Sequence, residues 1–148
     1  MNFVIVGAGA LGSIYAAYLA RAGHQVSLIA RGERAAALAM HGIGIAGEDS
    51  FSIHCDIVTQ PETIRHADVI IVAINTYDMG QALVSLSGLK VKSVLSVQNG
   101  VLKNQTLSEV FRPPTVVGAI SMIGGDVLPP EGSFGLRGKV VTLRLNPT

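Results

Sequence analysis

Short apolar runs of strand length alternate along the chain with segments whose apolar positions recur at helical spacing. Phe3 to Val6 forms the first run, in a strand expected over 2–6. From residue 10 to about 22, Leu11, Ile14, Tyr15, Tyr18 and Leu19 fall on one helical stripe, with Ala16, Ala17 and Ala20 small enough for close packing. Gly23 is a helix stop, and Gln25 to Ala30 reads as a second strand. A short helix is expected from Glu33 to Met40, ending at Gly42. Ile43 to Ala46 and Phe51 to Val58 are expected to form a hairpin around the polar turn at 47–50. Val69 to Ile74 has the unbroken β-branched character of a strand buried on both faces. A helix from Asp78 to Leu86, a strand from Ser93 to Gln98 and a helix from Lys103 to Phe111 follow, the last closed by Pro113-Pro114. Thr115 to Met122 and Lys139 to Leu145 read as further strands joined by a Gly/Pro-rich connection. Strands alternating with helices predict an α/β domain, a doubly wound and mostly parallel sheet of Rossmann type with additional C-terminal strands. No repeat or linker divides the 148 residues, so a single domain over 1–148 is expected.

Composition sharpens this reading. The chain is 49% hydrophobic and 14% charged, with positive mean hydropathy. No apolar stretch reaches the ~18 residues of a membrane-spanning helix, so the apolar content belongs to buried strands. A net charge of +1 without a basic stripe gives no reason to expect nucleic acid. No signal-peptide core precedes the first strand. Cys55 is the single cysteine, which rules out an internal disulfide and leaves no zinc cluster, so no metal site and a cytoplasmic location are expected. Its alternating surroundings make it a structural cysteine. His24, His41, His54 and His66 are expected to be packed or solvated, with His54 placed in a strand.

The chemistry is concentrated at predicted strand ends. Gly7, Gly9 and Gly12 stand in the spacing G-x-G-x-x-G between the first strand and the first helix. Gly7 permits the tight turn, Gly9 keeps a side chain out of the ligand's path, and Gly12 lets helix and strand approach closely. The helix N-terminus then aims free N–H groups and a positive dipole end at one point, which suits a pyrophosphate. An NAD-selective site carries an acid at the end of its second strand, where this chain has Leu28-Ile-Ala-Arg31-Gly-Glu-Arg34. A guanidinium there suits the 2′-phosphate of NADP, so Arg31 is the candidate, with Arg34 as support. Asn75 to Asp78 and Asn99-Gly100 follow later strands, where an open α/β sheet binds its ligand. Asp78 itself reads as a residue of a helix N-terminus.

These residues carry a resemblance. With Gly7 to Gly12, Gly23-His24-x-Val26, Arg31, Val72 to Asp78, Gln98-Asn-Gly100 and Val117 to Gly125, the chain resembles, over essentially its whole length, the N-terminal domain of ketopantoate reductases (2-dehydropantoate 2-reductases). The resemblance implies that Gly7, Ala8, Gly9, Ala10, Leu11 and Gly12 hold the pyrophosphate of NADP(H) and Arg31 its 2′-phosphate. It implies Asn99 near the nicotinamide ribose and substrate, and Gly124 beside the nicotinamide. The implied reaction is NADPH-dependent reduction of a 2-keto acid to a 2-hydroxy acid, of pantothenate-pathway type. Two departures bear on this. Asn75 stands where the family usually has a lysine; its amide can hydrogen-bond to cofactor or substrate but supplies no charge. The family's catalytic lysine and a glutamate come from a helical C-terminal domain that has no counterpart in these residues. This stretch is therefore expected to bind cofactor without turnover, to need that domain for its 2-keto acid substrate, and to expose an apolar surface open to self-association. Two alternatives stay open: a reductase of the wider 6-phosphogluconate-dehydrogenase-like group with a different substrate, and a non-catalytic NADP-binding or sensing module.

Overall fold

A computed structural model describes residues 1–47, 49–127 and 144–145. Six strands form one parallel sheet in the order β5-β2-β1-β6-β7-β8. They are β1 (Asn2–Val6), β2 (Gln25–Ile29), β5 (Asp56–Val58), β6 (Val69–Val72), β7 (Ser93–Ser96) and β8 (Val116–Val117). A separate two-stranded ribbon pairs β3 (Ile43–Ile45) with β4 (Phe51–Ile53), and a second pairs β9 (Ala119–Ile120) with β10 (Arg144–Leu145). The chain winds outward from β1 in one direction to β2 and β5, then returns to place β6, β7 and β8 on the other side. That is the strand order of a Rossmann sheet, and the α/β expectation holds.

Helices cover both faces. Against one face pack α1 (Ala10–Arg21), α2 (Gly32–His41) and the β3–β4 ribbon, around Ile5, Leu28, Leu38 and Ile43. Against the other pack α3 (Met79–Val84) and α4 (Lys103–Val110), around Val4, Val6, Ile70, Val72, Leu83 and Leu107. The unbroken apolar runs of β1 and β6 are the consequence: neighbouring residues face different helical layers, and both must be apolar. Each such side chain contributes ~1.5–3 kcal/mol by leaving water. α1 lies close to the sheet because Ala16 and Ala17 are fully buried. Its end is a Schellman closure, with Gly23 at φ +84 donating to the Ala20 carbonyl and His24 to that of Leu19.

Three expected elements are divided in the structure. The run 51–58 is not one strand: β4 pairs antiparallel with β3 and β5 parallel with β2, so the chain must change partners, and it does so at His54-Cys55. Alternation persists through the break, which is why periodicity alone missed it. His54 is therefore exposed in a connection and not in a strand. The run 115–122 opens as a 3-10 turn at Pro113–Thr115 and splits at Gly118 into β8, which extends the main sheet, and β9, which leaves it. The helix expected over 78–86 begins as a 3-10 turn at Thr76–Asp78 and is α-helical from Met79 to Val84. Of the strand expected over 139–145, residues 139–143 lie outside the described residues, as does Glu48 of the turn expected at 47–50.

Candidate functional site

The order in which the chain adds strands reverses between β1 and β6, which run parallel, and a crevice opens beyond their C-terminal ends. The glycine loop sits in it, and each glycine has a separate steric reason. Gly7 adopts φ +105, and a Cβ there would strike the Ile74 side chain. At Gly12 a Cβ would strike the Gly7 carbonyl, so α1 can approach the turn only with glycine. Gly9, the residue before α1, differs: its φ of −73 suits any residue, and an added Cβ would meet nothing within 4 Å. The fold does not need glycine at position 9, whereas a ligand lying against that backbone does. The N–H groups of the first turn of α1 have no intrahelical acceptors, and Ala10 and Leu11 line the same pocket as Gly9.

Two pockets flank the loop. On the β2 side, a pocket of about 250 Å³ is bounded by Gly7, Ala8, Ala30, Arg31, Arg34 and Asp78, among others. Arg31 is exposed at its rim, immediately before α2. Arg34, one turn on, points inward: its Nε donates to the Ala8 carbonyl at 2.7 Å and its Nη2 to the Ser13 hydroxyl at 3.1 Å. Burial lowers its pKa from the ordinary value, yet an arginine stays charged. These bonds brace the glycine loop, and Arg34 also lines the same pocket as Arg31, beside which it was expected as support for the 2′-phosphate. No local pattern announces a pairing between residues 34 and 8.

On the β7 side, a pocket of about 660 Å³ is lined by Gly9, Ala10, Leu11, Asn75, Gln98 and Asn99, with Ala73 to Tyr77 along one wall. Asn75 and Asn99, expected from sequence, are both exposed here and share this pocket. Its one titratable lining residue among those described is Tyr77, which is wholly exposed. Two features escaped the sequence reading. Gln98 is only 8% exposed, and neither its Oε1 nor its Nε2 has a partner among the described residues. Lys103, also 8% exposed, donates from Nζ to the carbonyls of Ser96 (3.0 Å), Gln98 (2.7 Å) and Ala119 (2.6 Å). Burial lowers its pKa. A signal was available: a lysine at the first position of a helix opposes the dipole, and such a breach of a local rule calls for a reason.

Gly124 is brought to neither pocket; it is exposed in the irregular segment after β9. His24 packs its ring on Phe3, 5.1 Å between centroids, by the N-terminal ends of the strands. That end also holds His54, Cys55 and Asp56 around a separate pocket. There burial, with the Asp56 charge, pushes the Cys55 thiol up to about 11. Among the described residues, no group of three or more His, Cys, Asp or Glu is placed to hold a metal, and no helix is long and apolar enough to cross a membrane.

Comparison with known proteins agrees with this geometry. Residues 3–142 match the family described as ketopantoate reductase PanE/ApbA. The chain is 33% identical over 144 residues to the 2-dehydropantoate 2-reductase of Pyrococcus horikoshii, covering 97% of this chain and 46% of that protein. It is likewise 33% identical over 145 residues to the enzyme of that name from Pyrococcus abyssi, covering 97% of this chain and 47% of that protein. The crystal structure of a PanE/ApbA family ketopantoate reductase from Ralstonia eutropha superposes with a TM-score of 0.85 at 28% identity, over 100% of this chain and 50% of that one. The chain thus spans about half the length of the relatives it matches.

Proposed function

The chain belongs to the ketopantoate reductase PanE/ApbA family, and on that premise we propose that it binds NADP(H) across the C-terminal edge of its sheet, as the cofactor-binding domain of a reductase that converts a 2-keto acid to a 2-hydroxy acid. The observation that carries this reading is the cradle at Gly9. The space beside it is open, the backbone conformation is one any residue adopts, and Ala10 and Leu11 of the first turn of α1, whose N–H groups lack intrahelical acceptors, line the pocket beside it. The residues present fit a dinucleotide. The first turn of α1 would hold the pyrophosphate, Arg31 would pair with the 2′-phosphate, and the larger pocket, with Asn75 and Asn99, would receive the nicotinamide ribose and the substrate. NADPH, when bound, supplies the hydride. Asn99 would orient a ribose or substrate hydroxyl, and Asn75 would offer a neutral amide to either.

Reduction of a keto group also needs a proton for the developing alkoxide. Apart from the exposed phenol of Tyr77, no described residue lining the larger pocket carries one to give. We therefore assign the proton donor and the positive charge that polarises the carbonyl to a part of the full-length protein outside these residues. A second reading concerns the substrate. Asn75 offers a neutral amide in place of a charge, which favours a substrate that presents an uncharged polar group, not a carboxylate, at this position.

The test is Gly9→Val. Because a Cβ at Gly9 has open space, the variant should stay folded, at a cost of no more than about 1 kcal/mol in urea denaturation, while losing NADPH binding in fluorescence titration. A variant that binds NADPH as the wild type does would sink the placement of the pyrophosphate at this loop.

A further inference from the structure

We infer that Lys103 is a positioning residue for the nicotinamide end of the site: its ammonium, held by three backbone carbonyls, sets the segment from which Asn99 enters the pocket. The inference rests on the cofactor reading above. A lysine in the first turn of a helix faces the positive end of the dipole and would ordinarily turn into solvent. Lys103 turns inward, and its three donors meet three carbonyls at 2.6–3.0 Å. All three partners are neutral, so the side chain is satisfied by geometry and not by an ion pair.

Where those carbonyls come from gives the side chain its role. Ser96 is the last residue of β7, Gln98 is two residues on, and Ala119 opens β9. Beyond Ser96 the chain has left the β6–β7 ladder, apart from the Val97 N–H to the Val72 carbonyl. A peptide group is planar, so holding the Gln98 oxygen holds the whole plane that leads into Asn99. The carbonyl of Ala119 ties that plane to the strand leaving the sheet edge. Gly100, at φ +141, then turns the chain away. Lys103 is thus the hub that joins the exit of β7 to β9 and gives Asn99 a defined starting point. The unpartnered amide of Gln98 belongs to the same tethered segment.

A merely structural lysine would affect every ligand alike, and the test separates the two cases. NADPH spans both pockets, whereas 2′-phospho-ADP-ribose carries the 2′-phosphate and pyrophosphate but no nicotinamide. Calorimetric titration of Lys103→Met should show NADPH weakened by about tenfold, the size of one good hydrogen bond. Affinity for 2′-phospho-ADP-ribose should stay within about twofold, since its contacts would be with Arg31 and the glycine loop, to which Lys103 makes no bond. In ¹H–¹⁵N spectra the shifts should be confined to residues near 96–100 and 119. Lys103→Gln, which retains two N–H donors, should recover part of the NADPH affinity. It carries the same comparison if the methionine variant does not fold. Equal loss of both ligands, or loss of neither, overturns the inference. A wild-type chain that binds neither ligand overturns the cofactor reading, and the role of Lys103 with it.

Discussion

Arg31→Ala is expected to erase the preference for NADPH over NADH without disturbing the rest of the site. The side chain stands exposed at the rim of the pocket on the β2 side, just before α2, and no acid ends β2 to favour a ribose hydroxyl. A bidentate guanidinium–phosphate pair is worth ~1.5–3 kcal/mol when sheltered, and exposure discounts it. A loss of ~1–2 kcal/mol, about 5- to 30-fold in NADPH affinity, is therefore expected. NADH has no 2′-phosphate and should shift less than about twofold. Because the contact is open to solvent, the wild-type gap between the two cofactors should narrow as ionic strength rises. Arg34 supplies the control. Its bonds to the Ala8 carbonyl and the Ser13 hydroxyl shape a loop that both cofactors share, so Arg34→Met should weaken NADPH and NADH together. Fluorescence titration of the two cofactors against wild type and both variants reads all of this. If Arg31→Ala left the NADPH-to-NADH affinity ratio where it was, the assignment of the 2′-phosphate to Arg31 would be wrong.

Acid stability offers a check on the opposite end of the sheet. Asp68 accepts from Lys92 Nζ at 2.7 Å and from the Asn2 N–H at 2.8 Å, and these bonds, Lys92 first, hold its carboxyl down to about 2 against an ordinary 3.8. Since the folded value lies below the unfolded one, its stabilisation is present in full above pH ~4 and withdrawn as pH falls toward 2. Asp68→Asn should be less stable at neutral pH and show a flatter decline between pH 4 and 2; parallel urea midpoints for the two proteins across that range would rule this out. For the reaction, the purified 148-residue chain should bind NADPH yet give no steady-state oxidation of it with ketopantoate, because the larger pocket offers no sheltered proton donor among the described residues. Sustained turnover above the no-enzyme rate would refute that division of labour.

Much of the fold was legible because the two periods are written plainly. β1 and β6 are runs of residues that each face a helical layer, and α1 carries its small residues where it touches the sheet. Legibility failed where one periodic run serves two partners. Residues 51–58 alternate throughout, but β4 and β5 belong to different sheets, and nothing in an alternating pattern tells which neighbour a strand will find. The same holds at Gly118, where the chain leaves the main sheet for the β9–β10 ribbon. Pairing is a long-range property, and local pattern carries only its necessary condition.

The two sides of the candidate site divide along the same line. Around the glycine loop, backbone conformation and steric access are properties of single positions, so the steric tasks of Gly7 and Gly12 could be read from spacing alone. The β7 side is assembled from distant pieces. Lys103 joins residues 96, 98 and 119, and the Tyr15 hydroxyl meets that of Ser121 at 3.1 Å, tying α1 to the segment that leaves the sheet edge. These bonds couple the helix that begins at the glycine loop to the segment that carries Asn99. A spacing motif identifies the part of a dinucleotide site that grips phosphate, because that grip is made by one turn of backbone. The part that would orient the reacting ring depends on side chains brought together across the sheet's edge, and there a lysine placed against its own helix dipole is the most informative residue in the sequence.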